Sequence, residues 1–88
     1  MRTRKGYSLR ALGNEFILVA EGFEAVDFTR MISMNESSAF LWKAVEGKDF
    51  DVETLANLLM EEYGIDHDTA QHDAEALLQS WLNAGVIE

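Results

Sequence analysis

The chain has 88 residues, no cysteine, no proline and a formal net charge of −9 at pH 7. That length supports one domain, residues 1–88, around a single modest core, and the missing cysteine excludes disulfides, thiolate metal sites and cysteine nucleophiles. No apolar run reaches the roughly 18–20 residues that span a bilayer, and the basic start Met1-Arg2-Thr3-Arg4-Lys5 is not followed by a signal-peptide apolar region, so a cytoplasmic protein without a membrane partner is expected.

The charge is unevenly spread. Residues 1–33 carry Arg2, Arg4, Lys5, Arg10 and Arg30 against Glu15, Glu21, Glu24 and Asp27, whereas the rest of the chain sets only Lys43 and Lys48 against twelve acids. Past Lys48 there is no Lys or Arg at all. Such a surface keeps a domain soluble, and it can also steer a basic partner.

The first third reads as strands. Tyr7, Leu9 and Ala11 alternate with Ser8 and Arg10, the period of a half-buried strand. Gly13-Asn14 is a hairpin turn signal, Phe16-Ile17-Leu18-Val19 is a β-rich run, and Glu21-Gly22 punctuates again. In a third strand, Val26, Phe28, Ile32 and Met34 share one face and Asp27, Thr29, Met31 and Ser33 the other, with Arg30 as a charged exception on the apolar side.

The remainder reads as three helices. Asn35 is a good N-cap for a helix containing Ala39, Phe40, Leu41, Trp42 and Val45, which Gly47 ends. Asp51 caps a second, with Val52, Leu55, Ala56, Leu59 and Tyr63 on one stripe and Gly64 as its stop. Asp66 or Asp68 caps the third, Asp68 with Gln71 having the spacing of a capping box. Its apolar stripe is Ala70, Ala74, Leu77, Leu78, Trp81 and Leu82, and Gly85 closes it before Val86-Ile87. The expectation is an α+β fold of winged helix-turn-helix-like build, a three-stranded antiparallel meander followed by three α-helices. A lone small sheet has open edges, and an open edge is either protected or used.

Catalytic chemistry has few materials here. His67 and His72 lie five residues apart, about 140° around a helix, and cannot chelate as an i, i+4 pair would. His72 with Asp68 has the right spacing but supplies only two ligands. Ser37-Ser38 lack a nucleophile-elbow context, and the scattered glycines build no phosphate loop. No enzyme activity, cofactor, metal or catalytic residue is expected. DNA reading by the third helix is disfavoured because Asp66, Asp68, Asp73 and Glu75 face it with no cation to meet phosphates.

With the elements placed, the sequence resembles the PqqD family, named for the pyrroloquinoline quinone biosynthesis protein, whose fold is also called the RiPP recognition element. The resemblance runs from about Lys5 to Ile87. It rests on Lys5-Gly6-Tyr7-x-Leu9-Arg10, Glu15-Phe16-Ile17-Leu18-Val19, Val26-Asp27-Phe28-Thr29 and the stretch Met31 to Trp42. It continues in Glu61-Glu62-Tyr63, Asp73, Leu77-Leu78, Leu82 and Gly85-Val86-Ile87. It implies a stand-alone peptide chaperone that binds the leader of a ribosomally made precursor and presents it to a radical SAM or other maturation enzyme. The implied site is the third strand, at Asp27, Phe28, Thr29, Arg30, Met31, Ile32 and Ser33, where the leader adds as a strand. The third helix shares the groove, at Asp73, Ala74, Glu75, Leu78 and Leu82. Strand addition suits an open edge, and Asp73 and Glu75 favour a leader with Lys or Arg. The alternative function is a regulatory or oligomerisation module pairing through the same edge, including a homodimer.

Overall fold

The computed structural model describes residues 1–20 and 27–88, and of 27–31 the backbone alone. The Glu21-Gly22 turn and Val26 lie outside the described residues, as do the side chains of Asp27, Phe28, Thr29, Arg30 and Met31. In chain order the elements are β1 (Tyr7–Leu12), β2 (Glu15–Ala20), β3 (Asp27–Met34), α1 (Glu36–Val45), α2 (Val52–Tyr63) and α3 (His67–Ala84). The fold is therefore α+β, a three-stranded antiparallel sheet followed by three helices, with β2 in the centre.

β1 and β2 meet through a two-residue loop, Leu12 pairing with Glu15. Gly13 has φ +62° and Asn14 a non-positive φ, the signs of a type II′ turn, whose twist matches that of the strands. The register puts Tyr7, Leu9, Phe16, Leu18, Ile32 and Met34 on one face, and all six belong to or pack against the main core. Ser33, on the other face, is exposed.

β3 does not follow the sequence-based alternation throughout. Leu18 pairs with Ile32, yet Ala20 pairs with Asp27, so β3 carries three more residues than β2 over that stretch. An odd surplus reverses the parity of a two-residue repeat. The single apolar face expected from Val26 to Met34 cannot run unbroken, and its described part is Ile32 and Met34.

Each helix begins on a side chain that accepts a backbone N–H, as the residues predict. Asn35 accepts from Ser38 N (2.8 Å), Asp51 from Thr54 N (2.9 Å) and Asp66 from Thr69 N (3.1 Å). The N-cap of α3 is thus Asp66 rather than Asp68, which lies in the first turn. The reciprocal capping box is at Asp51 and Thr54 instead of Asp68 and Gln71. α1 ends one residue before the glycine stop, on Glu46, with Gly47 following at φ +76°. Gly64 and Gly85 end α2 and α3.

The caps carry a pH dependence. The N–H and hydroxyl of Thr54 hold the Asp51 carboxyl below the ordinary aspartate range, and the hydroxyl and N–H of Thr69 do the same for Asp66. A carboxyl depressed in the native state stabilises fully above its unfolded value, near pH ~3.9, and that contribution fades as pH falls through the lower native value. The variant Asp51→Asn/Asp66→Asn keeps the caps but cannot titrate. Its melting temperature is expected to lie below the parent's at pH 7, with the gap closing as the pH is taken below about 4. Melts of both proteins at pH 7, 4 and 3 check this, and a gap that widens in acid would refute it.

The core lies between the sheet face and the helices, around Leu18, Leu41, Trp42, Leu55, Trp81 and Val86. Trp81 meets Trp42 edge-on (5.3 Å between centroids, 89°) and Phe50 likewise (6.2 Å, 87°). The chain ends are tied together beside it. Thr3 bridges Ile87, Arg2 and Glu88 exchange backbone hydrogen bonds, both 2.9 Å, and Phe50 N donates to Met1 O (2.7 Å). Arg2 adds a two-toothed ion pair to Asp49, Nε and Nη2 at 2.9 and 3.0 Å, and buried Thr3 accepts from Gly47 N (2.9 Å).

Candidate functional site

β3 pairs with β2 on one side, and among the described residues no strand pairs with it on the other. Which backbone groups face that side follows from the hairpin. A two-residue hairpin closes on a hydrogen-bonded pair, here Leu12 and Glu15. Hydrogen-bonding direction alternates along a strand, so Phe16 and Leu18 turn their N–H and C=O towards β3. Their partners Met34 and Ile32 therefore bond inward. Ser33, between them, points its N–H and C=O at the open edge.

A groove lies where the chain leaves β3. β3 ends at Met34 and Asn35 caps α1, and Asn35, Glu36, Ser37 and Ser38 form one wall of an open groove of about 810 Å³. Its apolar surface includes Leu41 of α1, Leu59 and Tyr63 of α2, and Leu77 of α3. Asp73, Ala76 and Ser80 line it from the same face of α3 as Leu77, since residues at i, i+3, i+4 and i+7 share a face. The Tyr63 ring is held edge-on against Phe40 at 6.0 Å. Burial raises the Tyr63 hydroxyl above the ordinary tyrosine value, and the charges of Glu36 and Glu62 push it further the same way. Negative potential thus reaches the groove from at least two carboxylates.

The structure brings together only part of the set implied by the family resemblance. Ser33 is exposed on the open edge and Ile32 is half-buried against the core, while for Asp27, Phe28, Thr29, Arg30 and Met31 the strand backbone alone is described. On α3, Asp73 lines the groove. Ala74 is 0% exposed within the core, so it has no surface to give a ligand. Glu75 is exposed and accepts from Gln71 at 3.2 Å, about 200° around the helix from Asp73. Leu78 is half-buried against the core and Leu82 is exposed, and neither lines the groove. The groove face instead holds Ala76, Leu77 and Ser80. Its sequence signal is the spacing Asp73, Leu77 and Ser80, a stripe of mixed polarity that apolar periodicity alone assigns to the core at Leu77 and to solvent elsewhere.

No group of three or more His, Asp or Glu side chains able to hold a metal occurs among the described residues, and no helix is long and apolar enough to cross a membrane.

A three-stranded sheet followed by three helices, with an open side on β3 and an inter-helix groove where the chain leaves that strand, defines a small α+β domain. The sequence pattern of the family described as Coenzyme PQQ synthesis protein D (PqqD) matches residues 7–87, and the chain belongs to that family. Its fold is similar to a solved structure described as "TbiB1 in Complex with the TbiA(beta) Leader Peptide", with a TM-score of 0.73 and 18% identity, covering 100% of this chain and 95% of that one. No curated protein matches the chain.

Proposed function

We propose that the protein is a non-catalytic, cytoplasmic peptide-binding partner. It takes the leader of a ribosomally synthesised precursor as a fourth strand on β3 and presents that precursor to a modifying enzyme of the radical SAM or another maturation type. The observation that carries this reading is the open side of β3, where the Ser33 backbone points outward immediately before the chain leaves the strand at a groove. Main-chain hydrogen bonds along such an edge supply sequence-independent affinity, and the adjoining groove supplies selectivity. Family membership and the likeness to a fold solved with a leader peptide support the same reading. The groove is lined by hydroxyls, carboxylates and aliphatic side chains with no histidine among them, a surface suited to holding a chain.

The test is amide hydrogen exchange with and without a synthetic leader peptide, taken from whichever short precursor gene is found to neighbour this one. The Ser33 amide is expected to exchange fast in the free protein and to slow at least about tenfold at saturation, while Ile32 and Met34 are slow in both states. Protection of Ser33 that rises with protein concentration alone would instead favour self-pairing through this edge. Unchanged exchange under saturating leader would overturn strand addition.

A further inference from the structure

The groove has an uneven electrostatic character. Its accessible apolar lining is Tyr63, Ile65 and Leu77, with Leu41 and Leu59 almost wholly buried, and its rim carries the carboxylates Glu36 and Asp73. No Lys or Arg lines it among the described residues. Of the described cations, Arg2 is held on Asp49, Arg4 lies towards Glu88 and Lys43 over the Phe16 ring. Among the described residues the opposing influence is the N-terminal end of α1, which opens on the same groove. A helix dipole amounts to about half a positive charge there, and Glu36 sits in that first turn, so one of the two rim carboxylates more than offsets it.

We propose that the groove selects a peptide segment in which an aliphatic or aromatic side chain sits next to a Lys or Arg, the apolar group seated on Tyr63, Ile65 and Leu77 and the cation held between Glu36 and Asp73. This rests on the strand-addition reading and narrows it. The occupant is a basic peptide, and an acidic leader is disfavoured. A cation at the rim also leaves the apolar lining free to bury the apolar neighbour, because long basic side chains lay their stems along apolar surface while the charge stays in water. Charge at such a rim acts mainly on selectivity and association rate, so discrimination of up to about fivefold per charge is the scale to expect.

The experiment is a selection of random twelve-residue peptides on the intact protein at low salt, followed by titration of the enriched peptides. Enrichment of Lys or Arg beside Leu, Ile, Met or Phe is expected. Binding of such a peptide is expected to weaken about threefold to tenfold in Glu36→Gln/Asp73→Asn and to weaken also in half-molar salt. Glu46→Gln, a charge removed at the far end of α1, is expected to leave it unchanged. Two results are adverse and distinguishable. Enriched peptides that protect the Ser33 amide but are neutral or acidic overturn the charge selection alone. A selection that enriches nothing overturns peptide recognition at this edge, and the charge selection with it. Melting curves confirm that each variant remains folded, and a double variant that is folded yet binds the basic peptide like the parent also overturns the proposal.

Discussion

Replacing Ser33 with proline is expected to abolish leader binding while leaving the melting temperature within a few degrees of the parent. Proline removes the outward-pointing donor and sets its ring where an added strand would lie. The lost hydrogen bond alone is worth about 0.5–1.5 kcal/mol, roughly threefold to tenfold in affinity, and the steric block raises the loss further. The internal ladder is spared because Ser33 bonds away from β2, and its exposed side chain leaves no cavity. Proline one residue earlier supplies the contrast. Ile32 pairs with Leu18 and packs against the core, so Ile32→Pro orphans a ladder acceptor at about 1–3 kcal/mol and also loses packing. Each kcal/mol moves the midpoint of a domain this size by about 4–8 °C, so a drop of about 10 °C or more is expected. Calorimetric titration with the leader, alongside thermal melting of both variants, reads the two effects separately. A folded Ser33→Pro protein that binds as tightly as the parent would exclude strand addition at this edge.

Trp81→Ala is expected to be the most destabilising single truncation. The side chain is 2% exposed and ties α3 to α1 through Trp42 and to the α1–α2 connection through Phe50. Emptying a buried tryptophan site costs about 3–5 kcal/mol, and each edge-on aromatic pair adds about 0.5–1.5 kcal/mol beyond area burial. A domain of this length has about 4–13 kcal/mol in total, so the variant is expected to be largely unfolded or to lose most of its urea midpoint. Leu82→Ala, one residue on, removes a side chain that is 42% exposed and is expected to shift the midpoint little. Urea titrations followed by far-UV circular dichroism compare the two, and equal midpoints would contradict the assignment of Trp81 to the core.

Elements governed by local chemistry were legible in the sequence. Asn35 and Asp51 announce helix starts because a short polar side chain before an apolar stripe satisfies orphan N–H groups, and Gly13-Asn14 announces a hairpin because the turn needs a positive φ. The three-strand, three-helix order followed, as did the family. The open strand was more legible than the groove. β3 could be named as the open strand, but its bulge depends on how β2 and β3 align, which neither strand encodes alone. On α3, apolar periodicity marks residues as buried without saying which element buries them, so Ala74 and Leu77 look alike in sequence. Only the arrangement of α1, α2 and α3 makes one core and the other a groove wall. The choice between Asp66 and Asp68 was similarly local but degenerate, two acids within one turn of the same helix start.

The bridge between Thr3 and Ile87 has a kinetic consequence. Most of the fold is made by neighbours along the chain, β1 with β2, β2 with β3 and α2 with α3, and such contacts form early because little loop entropy opposes them. The pairing of residues 2–4 with 86–88 closes a loop of nearly the whole chain and has to come last. During synthesis Arg2 can bridge Asp49 early, whereas Thr3 and Arg4 wait for Ile87 and Val86 to leave the ribosome. The sheet and the helix hairpin can therefore be assembled first, and the emergence of residues 86–88 is the event that seals the layer over Phe50 and Trp81.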